Sequence, residues 1–93
     1  IFPDKIKLYP AYPNPFNPTT TLTFDVPSSI ESSLVSLDLY DLKGRRVSVI
    51  VNNYLNPGVY SYKWNGSKFS SGVYIAKLNI GTKKETQKII LLK

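Results

Sequence analysis

Six carboxylates are the side chains best suited to acid or base chemistry: Asp4, Asp25, Glu31, Asp38, Asp41 and Glu85. There is no histidine and no cysteine. The commonest general base, the commonest nitrogen ligand for a metal and every thiolate site are therefore absent from the start. The acids do not cluster. Asp38 and Asp41 are neighbours, but on a strand end and its turn, so turn chemistry and solvated faces are the expected use of all six. A calcium loop would need oxygen ligands at regular spacing, and no D-x-D-x-D run exists. An intramolecular Lys–Asn isopeptide bond needs a buried lysine, asparagine and acid together, which the sequence neither supports nor excludes.

Recognition chemistry is better represented. Tyr60, Tyr62 and Trp64 alternate along one segment and would share a face. Facing outward they could stack on sugar rings; facing inward they are core, which is the expectation here. Pro10-Ala11-Tyr12-Pro13 and Pro15-Phe16-Asn17-Pro18 are two P-x-x-P spacings of the kind docked by SH3-like domains. The expectation is instead that Phe16 anchors this segment while its prolines stiffen it. Asn65-Gly66-Ser67 fits a glycosylation sequon and equally an ordinary turn, which is preferred. Twelve Lys and Arg against six Asp and Glu give a net charge of +6. That excess can attract nucleic acid, anionic lipid or acidic glycan. Only Lys43-Gly44-Arg45-Arg46 and Lys83-Lys84 cluster, however, and one arginine doublet without interleaved aromatics is weak ground for a nucleic-acid partner. No nucleic acid is expected.

The elements that position these residues are strands. No ten-residue window keeps a helical apolar face, and turn residues recur at short spacing. Ninety-three residues make one domain with a modest core. No apolar run reaches the length of a membrane-spanning helix. The chain opens Ile1-Phe2-Pro3 and contains no methionine, so it reads as a piece of a longer protein.

Ile6–Tyr9 can pair as a short edge strand. Residues 10–18 carry four prolines and should be extended or turn-like, because proline offers no amide proton. Thr20–Val26 alternates, with Leu22, Phe24 and Val26 inward, and Pro27-Ser28-Ser29 ends it. Leu34–Tyr40 follows, with Val35, Leu37 and Leu39 inward. Asp41-Leu42-Lys43-Gly44 makes a hairpin turn. Arg46–Val51 is predicted next, with Val47, Val49 and Val51 sharing a face, and Asn52–Gly58 is expected to be a loop. Val59–Trp64, Val73–Ile80 and Glu85–Leu92 complete the set. The pattern predicts an all-β chain: an antiparallel β-sandwich, immunoglobulin- or fibronectin-like, of six to seven strands. The expected organisation is a proline-rich extended segment, 1–18, packed on a sandwich, 19–93.

Four segments in fixed order carry a family resemblance. They are Tyr12-Pro-Asn-Pro-Phe-Asn-Pro-Thr19, Leu39-Tyr-Asp-Leu-Lys-Gly-Arg-Arg-Val47, Ser71-Gly-Val-Tyr-Ile75 and Lys88-Ile-Ile-Leu-Leu-Lys93. Over residues 8–93 the chain resembles the type A C-terminal sorting domain of proteins exported by the type IX, or Por, secretion system of Bacteroidetes. The resemblance implies a non-catalytic, seven-stranded immunoglobulin-like domain that directs an upstream passenger through the outer membrane to the cell surface. It implies Sec export to the periplasm, recognition by the outer-membrane translocon, and cleavage by a sortase-like protease. The passenger would then be attached to lipopolysaccharide or released. It places recognition on Gly72, Tyr74, Lys88, Ile90, Leu91, Leu92 and Lys93. A structural part falls to Pro13, Asn14, Pro15, Phe16, Asn17, Pro18, Asp41, Gly44 and Arg45. Cleavage would fall near Ile1–Lys7. A terminal strand flanked by lysines suits recognition by charge and by edge pairing. No cofactor or metal is implied. The alternative is a carbohydrate-binding or cell-attachment module that stays on its enzyme, with a glycan or lipopolysaccharide contact.

Overall fold

The computed structural model describes residues 5–28 and 33–93. Asp4, Glu31, Ser29 and the first four positions of the expected cleavage neighbourhood lie outside the described residues. Among the described residues seven strands follow one another: β1 Lys7–Leu8, β2 Thr19–Val26, β3 Ser33–Asp41, β4 Arg46–Leu55, β5 Gly58–Asn65, β6 Gly72–Ile80 and β7 Lys83–Leu91. β1, β2 and β5 form one sheet, and β4, β3, β6 and β7 the other. Every neighbouring pair is antiparallel. This is the all-β sandwich the alternation predicts. The domain measures 39 × 24 × 16 Å along its principal axes.

The core follows from strand parity. Leu22, Phe24 and Val26 from one sheet meet Val35, Leu37, Leu39, Ala76, Leu78, Ile80, Ile89 and Leu91 from the other, each fully buried. A fully buried leucine or phenylalanine is worth roughly 1.5–3 kcal/mol over its exposed state, so these alternating rows supply much of the fold's driving force.

Two expectations for β4 are corrected. Asn52–Leu55 is not a loop. These residues continue the ladder, Ser36↔Asn52 through Ser33↔Leu55. The partner strand β3 supplies their hydrogen bonds, and an exposed edge tolerates asparagine despite its low strand preference. Val49 is also not a core residue; it is 50% exposed. Leu37 pairs with Val51 but Asp38 with Val49, and Leu39 pairs with Ser48 but Tyr40 with Arg46. Ile50 and Val47 are thus extra residues in two β-bulges. Each bulge shifts the alternation by one, so Ile50 and Val47 pack against the core while Val49 turns to solvent.

The sandwich has two poles. At one lie the start of β2, the end of β3, the end of β5, the start of β6 and the end of β7, as shown by the pairs Thr19↔Asn65, Asp41↔Tyr74 and Gly72↔Leu91. At the other lie Val26↔Gly58, Ser33↔Leu55 and Ile80↔Lys83.

Candidate functional site: the motif pole and the strapped last strand

All four motif segments reach the first pole. The turn after β3 is built by its aspartate. The Asp41 carboxylate accepts from the Lys43 amide (2.9 Å), the Arg45 amide (3.0 Å) and Arg45 Nε (2.9 Å). The Arg45 amide leads the effects that hold this carboxyl below its ordinary range. Gly44 takes φ +83, a left-handed conformation that glycine adopts without a side-chain clash. Asp41, Gly44 and Arg45 therefore form a closed turn, in keeping with a structural part.

Residues 8–16 cross from β1 to the outer edge of β7 and cover it. Phe16 donates its amide to the Ile90 carbonyl at 2.9 Å and accepts from the Leu92 amide at 2.9 Å. The Asn14 side chain imitates a strand: Nδ2 donates to the Lys88 carbonyl at 3.1 Å, and Oδ1 accepts from the Ile90 amide at 3.0 Å. Gln87 does the same from the opposite side. Its Oε1 accepts from the Ala11 amide at 2.8 Å, and its Nε2 donates to the Tyr9 carbonyl. Proline suits this strap because each proline removes a donor that an edge segment would otherwise leave unpaired. Pro13, Pro15 and Asn17 are exposed and Pro18 is half-buried; the Pro18 carbonyl accepts from the Gly66 amide at 2.8 Å. Further along the strap, the Tyr9 hydroxyl donates to Asp25 at 2.8 Å. That bond, some desolvation and the carboxylate charge hold the phenol above its ordinary pKa.

The edge pairing that the sequence suggests for the last strand is closed off along Lys88–Leu92. The outer edge of β7 at Lys88–Leu92 is already occupied by Asn14 and Phe16.

Phe16 plugs the strap into the pole. It is 2% exposed, and its ring meets Trp64 edge-on at 5.7 Å. Trp64 also packs on Phe69 (5.3 Å) and Tyr74 (5.8 Å). Tyr60 and Tyr62 stack on Phe24 at 5.7 and 5.9 Å. The aromatic row of β5 is thus core, and the sugar-stacking platform it would offer if turned outward does not form. Asn65 Oδ1 accepts from the Ser67 amide at 2.8 Å, a side-chain-closed turn.

The residues assigned to recognition divide by burial. Tyr74 and Leu91 are buried, and the Tyr74 hydroxyl donates to the Ser70 carbonyl at 2.7 Å. In the folded domain these two hold the pole together. Gly72 and Ile90 are half-buried. Lys88, Leu92 and Lys93 present their side chains to solvent. The Lys93 amide donates to Ser71 Oγ at 3.0 Å, and its ammonium reaches the Ser67 carbonyl. The end of β7 is thereby tied to the 66–71 loop. Beside it opens a groove of about 430 Å³ between that loop and the β3–β4 turn, lined among others by Asp41, Arg45, Lys68, Phe69, Gly72 and Tyr74. Gly72 would accept a Cβ without meeting any atom within 4 Å. Space inside the domain therefore does not require its small size; its φ of +156 does.

Sequence reading missed Gln87 and Gly66. Gln87 lies in phase with Ile89 and Leu91, so a polar residue stands where alternation calls for core. That mismatch was the available signal. In sequence Gly66 stands as an ordinary turn residue. A Cβ there would come within 3.0 Å of Leu91 and 3.3 Å of Trp64, so it is a close-approach glycine.

Among the described residues no group of three or more acids could hold a metal ion, and no helix is long and apolar enough to cross a membrane. Residues 10–92 match the family model of the secretion system C-terminal sorting domain. No curated protein and no solved structure matches the chain.

Proposed function

This chain belongs to the family of secretion system C-terminal sorting domains, and from that premise we propose that its motif pole is the address read by the type IX translocon. Such a domain is a sorting signal, not a catalyst, and its place of delivery is the cell surface or the medium. In this reading an upstream passenger passes by Sec export to the periplasm and then through the outer membrane. A sortase-like protease cuts near residues 1–7, and the passenger is released or joined to lipopolysaccharide.

One observation carries the proposal. The four motif segments, far apart in sequence, meet at a single pole where Leu92 and Lys93 are exposed and tethered. β1 leaves toward the other pole, since Lys7 pairs with Asp25 near the far end of β2. A passenger joined ahead of β1 would thus leave the address uncovered. The address is read through the side chains of the strand end and the neighbouring groove, because β7 has no free edge there. An exposed leucine beside a lysine offers a docking partner one apolar contact and one charge.

The test is a fusion of residues 1–93 to a fluorescent protein in a bacterium with the system. Removing residues 88–93 would also remove Ile89 and Leu91 from the core, so loss of export would not separate address from fold. Leu92→Ser with Lys93→Glu keeps the core. Loss of surface fluorescence with an unchanged melting temperature supports the reading. Full surface delivery of that variant would sink it.

A further inference from the structure

The outer face of the four-stranded sheet borders the motif pole and shares Tyr40, Arg46, Ile75 and Lys88 with the motif segments. Register shows what it displays. Arg46, Tyr40, Ile75 and Lys88 form one cross-strand row, and Val49, Asp38, Lys77 and Thr86 the next. Lys84, opposite Asn79, stands one step further along. This face thus carries four cations and one carboxylate. Asp38 is only 6% exposed and reaches Arg46 at 3.9 Å. The outer face of the other sheet carries Lys7 and Lys63 with Asp25 among threonines, so the basic excess is not spread evenly. Like charges crowded on one face work against folding and favour an anionic partner.

A cleft of about 430 Å³ opens on the same face. Tyr40, Ile75, Lys77 and Thr86 line it, with Asp41, Leu42 and Gly44 of the turn alongside; the Asp41 carboxylate is already engaged by Lys43 and Arg45. The Lys77 ammonium stands 5.7 Å from the centroid of the Tyr40 ring. An aromatic ring, a hydroxyl and an ammonium group thus meet around a space of the size that takes a small ligand unit. Lys84 and Lys88 lie roughly 13 Å apart, four strand residues at about 3.3 Å each. Cations spread beside a cleft suit a chain with a negative group at intervals. A single small anion would need converging donors.

We propose that this face binds an acidic polysaccharide. One carboxylated sugar sits against Tyr40 and Lys77, and neighbouring negative groups lie on Arg46, Lys84 and Lys88. An acidic protein would satisfy the charges and leave the cleft unfilled. A bilayer surface would read the charges without regard to the Tyr40 ring.

The test is calorimetric titration of the purified chain with polygalacturonate. Neutral dextran, polyglutamate and phosphatidylglycerol vesicles are titrated in parallel. Binding to polygalacturonate but not dextran is expected, weakening as salt rises. Lys77→Glu with Lys88→Glu should weaken it about tenfold or more, and Tyr40→Ala several-fold. Lys7→Glu with Lys63→Glu makes the same charge change on the other sheet and should leave it within about twofold. Melting temperatures establish that each variant is folded. Absence of polygalacturonate binding overturns the proposal. So does equal weakening by both double variants, or tighter binding to polyglutamate or vesicles with no effect of Tyr40→Ala. Because the readout is binding in solution, its failure leaves the export reading standing, and failure of export leaves this one standing.

Discussion

β4 and β7 are the two outer strands of the same sheet, and both would otherwise leave a row of backbone groups unpaired. β7 is covered from a distance. Asn14, Phe16 and the strap around them reach across more than seventy residues of sequence to bond its edge. β4 is treated locally. Two bulges, at Ile50 and Val47, twist its first half, while Val51–Leu55 stays regular. A partner adding a strand to this sheet therefore has room at β4 and none at Lys88–Leu92. The strand to which the proposal assigns recognition is the one whose edge is closed. Under that reading it is met through its side chains and its end.

Phe16→Ala empties the buried site against Trp64 and should destabilise the domain by about 3–5 kcal/mol in urea unfolding. Amide exchange should then rise more at Leu92 than along the β3–β4 ladder, where it follows the global loss alone. Equal loosening of both edges would mean that the strap is not a separate device.

Asn14→Ala removes one donor and one acceptor facing β7 while keeping the Phe16 plug. The site is solvent-exposed, so water replaces part of the loss. About 0.5–1.5 kcal/mol is expected by the same unfolding assay. Val49→Lys, on the outer side of the bulged strand, should change stability by no more than about 0.5 kcal/mol. A larger cost would show that Val49 packs as the plain alternation of β4 had suggested.

The smallest effect concerns the Asp41 turn. Its carboxyl is held below the ordinary carboxylate range, first by the Arg45 amide. The folded form binds its proton less readily than the unfolded chain. The contribution is therefore full above the unfolded pKa and is lost as pH falls through the lowered folded value. Exchange of the Lys43 and Arg45 amides, compared between wild type and Asp41→Asn, should show a difference at neutral pH that disappears in strong acid.

Legibility in the sequence follows the range of the interactions. Period-2 rows such as Leu22-Phe24-Val26 and Val35-Leu37-Leu39 announced their strands because alternation is local. Asp41-Leu42-Lys43-Gly44 announced its turn for the same reason. The bulges of β4 were hidden, since Val47, Val49 and Val51 alternate in sequence and only the pairing with β3 shows the slipped register. The extension through Asn52 and Asn53 was hidden because the partner strand, not intrinsic preference, holds it. At the pole, the segments were visible as motifs but their meeting was not. That Asn14 and Gln87 substitute for backbone depends on a crossing that no local pattern encodes.

The most direct measurement of the central claim is the surface signal of the fluorescent fusion under a matched pair of changes. One variant carries Leu92→Ser with Lys93→Glu at the motif pole. The other carries Tyr54→Ser with Lys83→Glu at the opposite pole, where both residues are exposed. With melting temperatures equal to wild type, delivery should collapse for the first and persist for the second. Delivery that persists in the first, or fails equally in both, would contradict an address confined to that pole.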